Sequence, residues 1–402
     1  MSKLTNNWIR GVDNYMLRSK VGYSMSEDNF TSGVTTAKTS LIGNSSKIGF
    51  LYTSSMSNTK EILKGVRSIT DIPIIGCTSS GALIVPEGIV ASNHGFSGMM
   101  TMADADLTVG VACHEAGKNA RLIGRKVAIE AVKNAKMKTA PAYFYMIASP
   151  KEEEDYLMGI QDVIGRVPMF GGSAADDTVE GKWKIICNDK VFSDGVAVCF
   201  FYTQNDIVTE YTGAYRETDT AGIITEVNQK RTLVTIDNEP SLKKYADWIN
   251  QSPNNLRGTN LLASSITHPL GVKDPLGNLI AVRHPMIGNT NDTMNIGNNL
   301  EKGTAVVLLE STVDELIDST GETLKKVKKE LTTEPAAYML VHCGGRKLAI
   351  GERLPEVHKQ LLKESKGVPF ICFFTFGEYG YHENSANTCG GLMLSFTGFG
   401  RE

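Results

Sequence analysis

A strand–helix–strand pattern that recurs along this chain limits its folds more than any other feature. The first copy is a strand ending in Tyr52–Ser55, a helix carrying Leu63 and Gly65, and then Ile72-Pro73-Ile74-Ile75-Gly76. The second is a strand ending in Ile147–Ser149, a helix carrying Leu157 and Gly159, and then Val167-Pro168-Met169-Phe170-Gly171. The two align with one single-residue gap. A fainter third copy runs from Tyr338–Cys343 through a helix to Val368-Pro369-Phe370-Ile371. In each, a proline opens an apolar strand, where its missing N–H breaks no ladder. Serial units of this kind build α/β to α+β architecture, layered mixed β-sheets flanked by helices. Three shallow copies in 402 residues are too few and too irregular for a solenoid.

Other short apolar runs read as strands: Leu107–Cys113, Lys184–Cys187, Val196–Tyr202, Ala305–Leu309 and Gly391–Phe396. The clearest helix spans about Val313 to Leu331. Thr312 and Glu315 form its capping box, and Val313, Leu316, Ile317, Leu324, Val327 and Leu331 form one apolar stripe. Its lysines Lys325, Lys326, Lys328 and Lys329 read as a solvated face. The runs 223–227 and 232–236 flank a polar turn and predict a β-hairpin. The polar stretch Tyr215–Thr220 before it suggests a domain boundary, giving two domains, 1–212 and 213–402. Residues 251–283 are rich in loop formers, among them Pro253, Gly258, Pro269, Gly271, Pro275 and Gly277.

Composition narrows the class. With 41 Lys+Arg against 44 Asp+Glu, the formal net charge of -3 argues against a strongly basic nucleic-acid binder. The longest apolar runs are strand length, well short of the roughly 20 residues of a membrane helix. The polar start Met1–Tyr15 lacks the apolar core of a secretory signal. The seven cysteines are odd in number, and no Cys-x-x-Cys occurs. Scattered, unpaired thiols fit a reducing compartment, so a cytoplasmic protein is expected.

Several segments resemble chemical motifs. Gly76-Cys77-Thr78-Ser79-Ser80-Gly81 has phosphate-loop glycine spacing, but Ala82 and Leu83 stand where Lys and Ser/Thr are needed. It also nearly makes a nucleophile elbow around Ser79, with Cys77 at the first glycine position. The bland reading is a tight turn, compatible with amides that bind a small anion. Gly171-Gly172-Ser173-Ala174-Ala175-Asp176-Asp177 is its counterpart, small enough for close approach of another strand or a ligand. Two adjacent Asp without a supporting His or Glu are a poor metal site. Cys343-Gly344-Gly345-Arg346 and Phe376-Gly377-Glu378 end predicted neighbouring strands. Arg346 and Glu378 there form either an ion pair fixing the edge or the polar end of a pocket. A thiol beside Arg346 would have a lowered pKa. No base at a recognisable spacing accompanies Ser79 or Cys343, so a hydrolase or thiol enzyme is disfavoured.

Together these motifs resemble the FIST family, a two-part signal-transduction module with N-terminal and C-terminal domains. The resemblance rests on 75–81 and 170–176 in the first part. In the second it rests on 237–241, Val282-Arg283, Asp292-Thr293-Met294, Glu301-Lys302-Gly303, 343–346 and 375–378. One departure is Ser385-Ala386-Asn387-Thr388, where the family has a His-Asn-x-Thr-like stretch. The resemblance implies sensing of a small, amino-acid-like ligand rather than catalysis. It implies signalling through a separate partner, since no kinase, receiver or F-box domain fits outside the match. The alternative it implies is a haem-binding nitric-oxide sensor acting on a histidine kinase or a cyclic-di-GMP enzyme. The axial ligand would then come from His94, His284, His342 or His382. A scaffold with no ligand is a further alternative. From charge type and strand-end position, the expected ligand residues are Ser79, Ser80, Gly81, Ser173, Asp176, Arg283, Cys343, Arg346 and Glu378. Arg283 or Arg346 would hold a carboxylate, and Glu378 or Asp176 an ammonium.

Overall fold

The computed structural model describes residues 16–274, 277, 279–382 and 386–401. Met1–Tyr15, Pro275, Glu383 and Ser385 lie outside the described residues. Among the described residues, each strand–helix–strand copy is the centre of a larger unit. The first unit runs Arg18–Ser24, helix Asn29–Ser40, Ile48–Ser54, helix Thr59–Arg67, Ile74–Ser79, a small hairpin (Leu83–Val85 with Gly88–Val90) and Ser97–Ala103. The second runs Thr108–Glu115, helix Ala120–Asn134, Tyr143–Ala148, helix Glu153–Ile164, Met169–Ser173, the hairpin Ile185–Cys187 with Lys190–Phe192, and Gly195–Tyr202. The third runs Ile207–Thr212, helix Val313–Glu330, Pro335–Cys343, helix Leu354–Ser365, Phe370–Thr375, the hairpin Glu378–Gly380 with Thr388–Gly390, and Leu394–Gly400.

All three units fold the same way. The two strands of each copy pair in parallel: Ile48–Ser54 with Ile74–Ser79, Tyr143–Ala148 with Met169–Ser173, and Pro335–Cys343 with Phe370–Thr375. The carbonyls of the three opening prolines make the same bond, accepting from Gly49, Phe144 and Tyr338. The last strand of each unit adds antiparallel beside the first of the pair, and the unit's opening strand forms the edge. The hairpins do not stay at home. That of the first unit extends the third sheet, that of the second extends the first, and that of the third extends the second. The exchange is cyclic, and each sheet has six strands.

Apolar inner faces of the three sheets meet in one core. Phe50, Tyr52, Tyr145, Phe170, Met339 and Phe373 are all fully buried there. Tyr52 stacks on Phe373 with centroids 3.9 Å apart, and its hydroxyl bonds that of Tyr145 at 2.8 Å. Each such aromatic contributes about 2–3 kcal/mol by burial. The outer faces are covered by the helices, as in the satellite core of Leu51, Ile62, Val66 and Ile74. Burial on both faces explains why these strands read as continuous apolar runs rather than alternating ones.

Arg216–Glu310 is inserted between the first strand and first helix of the third unit. It forms a nine-stranded sheet with its own core, including Ile224, Leu233, Leu242, Tyr245, Met294 and Leu308. The expected hairpin is present as Arg216–Asn228 with Thr232–Ile236. Of the polar stretch 215–220, residues 216–220 open its first strand. The loop-rich stretch contains the short helices Pro253–Leu256 and Leu262–Ser265 and the paired strands Leu270–Lys273 and Leu279–Arg283. The helix Val313–Glu330 has both halves of its capping box, with Lys325, Lys326 and Lys329 exposed. No described helix is long and apolar enough to cross a membrane.

Two expected turns begin later than their glycines. The strands continue through Gly76 to Ser79 and through Gly171 to Ser173. A Cβ at Gly76 would stand 1.8 Å from the Leu51 carbonyl oxygen, and one at Gly171 1.9 Å from that of Met146. Glycine is therefore required by the parallel neighbour.

Candidate functional site

The small-residue motifs are where the chain leaves one sheet for the next. Ser79 leads to Leu83, Ser173 to Ile185 and Thr375 to Glu378, and the three crossovers meet. Ser80 N donates to Phe374 O at 3.0 Å. Ser173 N donates to Gly377 O at 2.8 Å and Phe376 N to Ser173 O at 3.2 Å. Ala175 N donates to Thr78 O at 3.1 Å. First, third and second units are thereby joined in a closed ring of backbone bonds.

That ring consumes several expected ligand residues. The buried Ser79 hydroxyl donates to Ala82 O at 2.7 Å and accepts from Phe374 N at 2.9 Å. Ser173 shares a 2.7 Å bond with the Tyr379 hydroxyl. The buried Asp176 carboxylate accepts from the backbone N–H groups of Thr178, Val179, Glu180 and Lys182, closing its own loop. Arg283 donates to the carbonyls of Asn299, Val282 and Cys389. Three of these side chains, Ser79, Asp176 and Arg283, therefore already satisfy backbone groups, and Ser173 a buried tyrosine hydroxyl, as buried polar groups must be satisfied.

Two groups of residues remain. At the rim, Ser80 and Gly81 are part-buried and stand beside Asp177 and Lys347. Gly81 N, at a residue with φ +69°, donates to Asp177 Oδ1, and Ser54 Oγ donates to Oδ2 at 3.1 Å. Lys347 stands over the Phe374 ring, Nζ 5.6 Å from its centroid, and burial pushes its ammonium pKa down. Asp177 and Lys347 adjoin motif residues but carry no pattern of their own in the sequence.

Beneath the rim, the structure brings Cys343, Arg346 and Glu378 together. Arg346 is fully buried. Its guanidinium donates to the carbonyls of Gly213 (2.5 Å) and Leu316 (3.0 Å) and to Ser319 Oγ (2.6 Å), while Nε has no partner. Its partners are carbonyls and a hydroxyl, and no carboxylate lies within 4 Å of it among the described residues, so of the two readings of this edge the ion pair is not formed. Glu378, also fully buried, accepts from Thr375 Oγ1 at 2.8 Å and Met393 N at 2.9 Å. Burial pushes its carboxyl up to about 8 against the pull of those bonds and of Arg346, so it is protonated at neutral pH. Cys343 departs from expectation. Burial, with Glu378 beside it, pushes the thiol well up despite backbone hydrogen bonds to it around Arg346. Desolvating the thiolate costs more than the backbone N–H groups of Arg346 and Gly345 return.

A third polar group was not read from the sequence. Arg231 bridges Glu153 (3.2 Å) and Glu154 (2.6 Å) at the start of a helix of the second unit, fastening the inserted sheet there. Burial and Glu154 raise the Glu153 carboxyl to about 7. Arg231 falls in a hairpin turn and the two Glu in an acidic first turn, both ordinary surface patterns.

The four candidate haem histidines have other surroundings. The His94 side chain is 61% exposed and pairs with Glu27. His382 Nε2 lies 3.1 Å from the Ile280 carbonyl. The buried His342 has Nδ1 3.0 Å from its neighbour's carbonyl and its ring 5.1 Å from that of Phe374. The His284 ring is so close to Gly297 and Gly391 that a Cβ on either would lie 2.3 Å from it. An axial imidazole needs a porphyrin-sized apolar space at its free nitrogen. Among the described residues, His342 Nε2 and His284 Nδ1 are the buried imidazole nitrogens without a hydrogen-bond partner. No described group of three or more His, Cys, Asp or Glu is placed to hold a metal ion.

Two family models match the chain: FIST N domain over residues 47–239 and FIST C domain over 241–381. No curated protein matches it. Among solved structures, phosphoribosylformylglycinamidine synthase II from Thermotoga maritima is 9% identical, with 97% of this chain and 73% of that chain covered and a TM-score of 0.24. T. maritima PurL complexed with AMPPCP is 10% identical, with 99% and 76% covered and a TM-score of 0.23. Scores that low carry no inference for this chain. The two family matches meet end to end and take in all the crossover motifs, so the chain belongs to the FIST family, whose domains are associated with signal-transduction sensing of small ligands.

Proposed function

We propose that the chain is a cytoplasmic sensor that binds an amino-acid-like ligand at Arg346 and Glu378 and signals through a separate protein. The observation that carries this is a buried guanidinium with no carboxylate within 4 Å among the described residues, in one network with a carboxyl that burial keeps neutral. A ligand carboxylate satisfies the first, and a ligand ammonium draws the second into its ionised form. In this reading Cys343 lines the ligand site beside Arg346 and Glu378, and Ser80 and Gly81 stand at the part-buried rim above. Ser79, Ser173, Asp176 and Arg283 position the surrounding backbone. A histidine kinase or a cyclic-di-GMP enzyme is the partner class that the family resemblance suggests.

The test is thermal unfolding of the full chain with each proteinogenic L-amino acid in turn. A ligand at about 100 times its Kd stabilises by about 2.7 kcal/mol. At least one amino acid is expected to raise Tm in the wild type. Glu378→Gln is expected to fold and to lose that rise, and Arg346→Lys to weaken it. A rise that survives both substitutions puts the site elsewhere. No rise with any amino acid rejects the ligand class. A mass increase the size of haem in native spectra of protein expressed with a haem precursor would favour the gas-sensor alternative.

A further inference from the structure

We propose that Cys113 and Cys187 form a peroxide-responsive dithiol that closes to a reversible disulfide. The two lie 74 positions apart in sequence, and folding brings them together. Cys113 is on Thr108–Glu115, the edge strand of the second sheet. Cys187 ends Ile185–Cys187, the strand that the second unit lends to the first sheet. These strands pack on one another, which brings the two cysteines to one cavity.

Both sulfurs line one cavity of about 160 Å³, together with Glu130, Asn134, Asp189 and Lys190. Glu130, Asp189 and Lys190 are solvent-exposed, so a small oxidant reaches the pair from outside. The two cysteines are not equivalent. Cys113 retains 9% exposure and Cys187 1%. The neighbouring Cys187 thiol, helped by the Lys190 charge, lowers the Cys113 pKa, whereas that of Cys187 is raised. Burial pushes up the thiols of Cys77, Cys199, Cys343, Cys372 and Cys389. Thiolate character and access therefore coincide at Cys113.

The reaction balances with hydrogen peroxide as oxidant. The Cys113 thiolate attacks one peroxide oxygen, an S–O bond forms, the O–O bond breaks, and hydroxide leaves to take up a proton as water. The Cys187 sulfur then attacks the Cys113 sulfenic acid. The S–S bond forms, the S–O bond breaks, and a second water leaves with the Cys187 proton. Two thiols are oxidised by two electrons, and the peroxide is reduced to two waters. Disulfides in reducing compartments are mostly transient and redox-sensing. This one would tie the second unit's edge strand to the hairpin beside Ile74–Ser79, the strand that leads to Ser80 and Gly81.

The full-length protein, folded, is treated with hydrogen peroxide, alkylated and digested without reductant. The expected result is a Cys113 peptide joined to a Cys187 peptide within one chain, two hydrogens lighter than the pair and separated again by dithiothreitol. In Cys187→Ser, oxidation is expected to stop at the Cys113 sulfenic acid, which dimedone labels. In Cys113→Ser, neither the link nor a dimedone label at Cys187 is expected. The proposal falls if both thiols stay alkylatable after peroxide in the wild type. It also falls if the link forms only between chains, or if other cysteines join while these two do not.

Discussion

Glu378 is a side chain whose charge state depends strongly on its place in the fold. Its carboxyl is raised from 4.5 to about 8. Between those values the folded protein holds a proton that the unfolded chain has released. Its contribution is therefore full below about 4.5 and is lost as pH rises toward 8. The slope is about 1.4 kcal/mol per pH unit. Glu378→Gln removes that slope while keeping the shape. The difference in urea midpoint between wild type and variant is thus expected to turn against the wild type from about pH 5 to about pH 7. Glu153, raised to about 7, titrates alike in both proteins and cancels. An unchanged difference would mean that Glu378 is ionised in the fold. Sequence showed that Arg346 and Glu378 end neighbouring strands. It could not show that the Arg346 guanidinium is bound by carbonyls of Gly213 and Leu316, residues distant in the chain. It also misjudged Cys343, because the nearby arginine was visible in the sequence and the burial was not.

Gly76 and Gly171 show what the repeat encoded at the level of strands and helices. Each permits a parallel neighbour to approach within what would be Cβ contact of its carbonyl. The motif that suggested a phosphate loop or a nucleophile elbow is thus explained by strand packing. Gly76→Ala is expected to cost about 3 kcal/mol or more, since the obstacle is backbone that cannot move aside. Gly303→Ala, at φ +87° with nothing within 4 Å of its added Cβ, is expected to cost only about 1 kcal/mol. Urea unfolding of the two variants separates close packing from backbone strain, and equal costs would reject the packing account. At the other extreme of distance, Thr312 and Glu315 are local, and their capping box was legible as it stands. Thr312→Ala is expected to cost about 1 kcal/mol. Strands with buried faces were legible for the same reason as this helix: their pattern lies within a few residues. Residues 216–220 carry polar side chains because they open the first strand of the inserted sheet.

At the level of the whole molecule, sequence repetition implied three similar units but not how they are joined. A hairpin reads the same whether it pairs with its own sheet or another, so the cyclic exchange left no local mark. Its physical consequence is that no unit completes its own sheet. A chain cut between 212 and 213 would leave Met169–Ser173 without the strand Glu378–Gly380, and the hairpin Leu83–Val85 without its partner Phe370–Thr375. The inner faces carrying Phe50, Tyr52 and Phe170 would lose Met339 and Phe373. The fragment 213–402 would in turn lose the edge strand Ile207–Thr212 from Leu394–Gly400. Exposed apolar faces and open strand edges favour association over folding. Neither fragment is therefore expected to give a cooperative urea transition by circular dichroism, and the mixture is expected to recover one. If residues 1–212 alone unfold with the full chain's midpoint, the exchanged strands contribute little. If only the mixture does so, stability belongs to the closed ring of three sheets, and a ligand bound at the crossovers would act on all of them together.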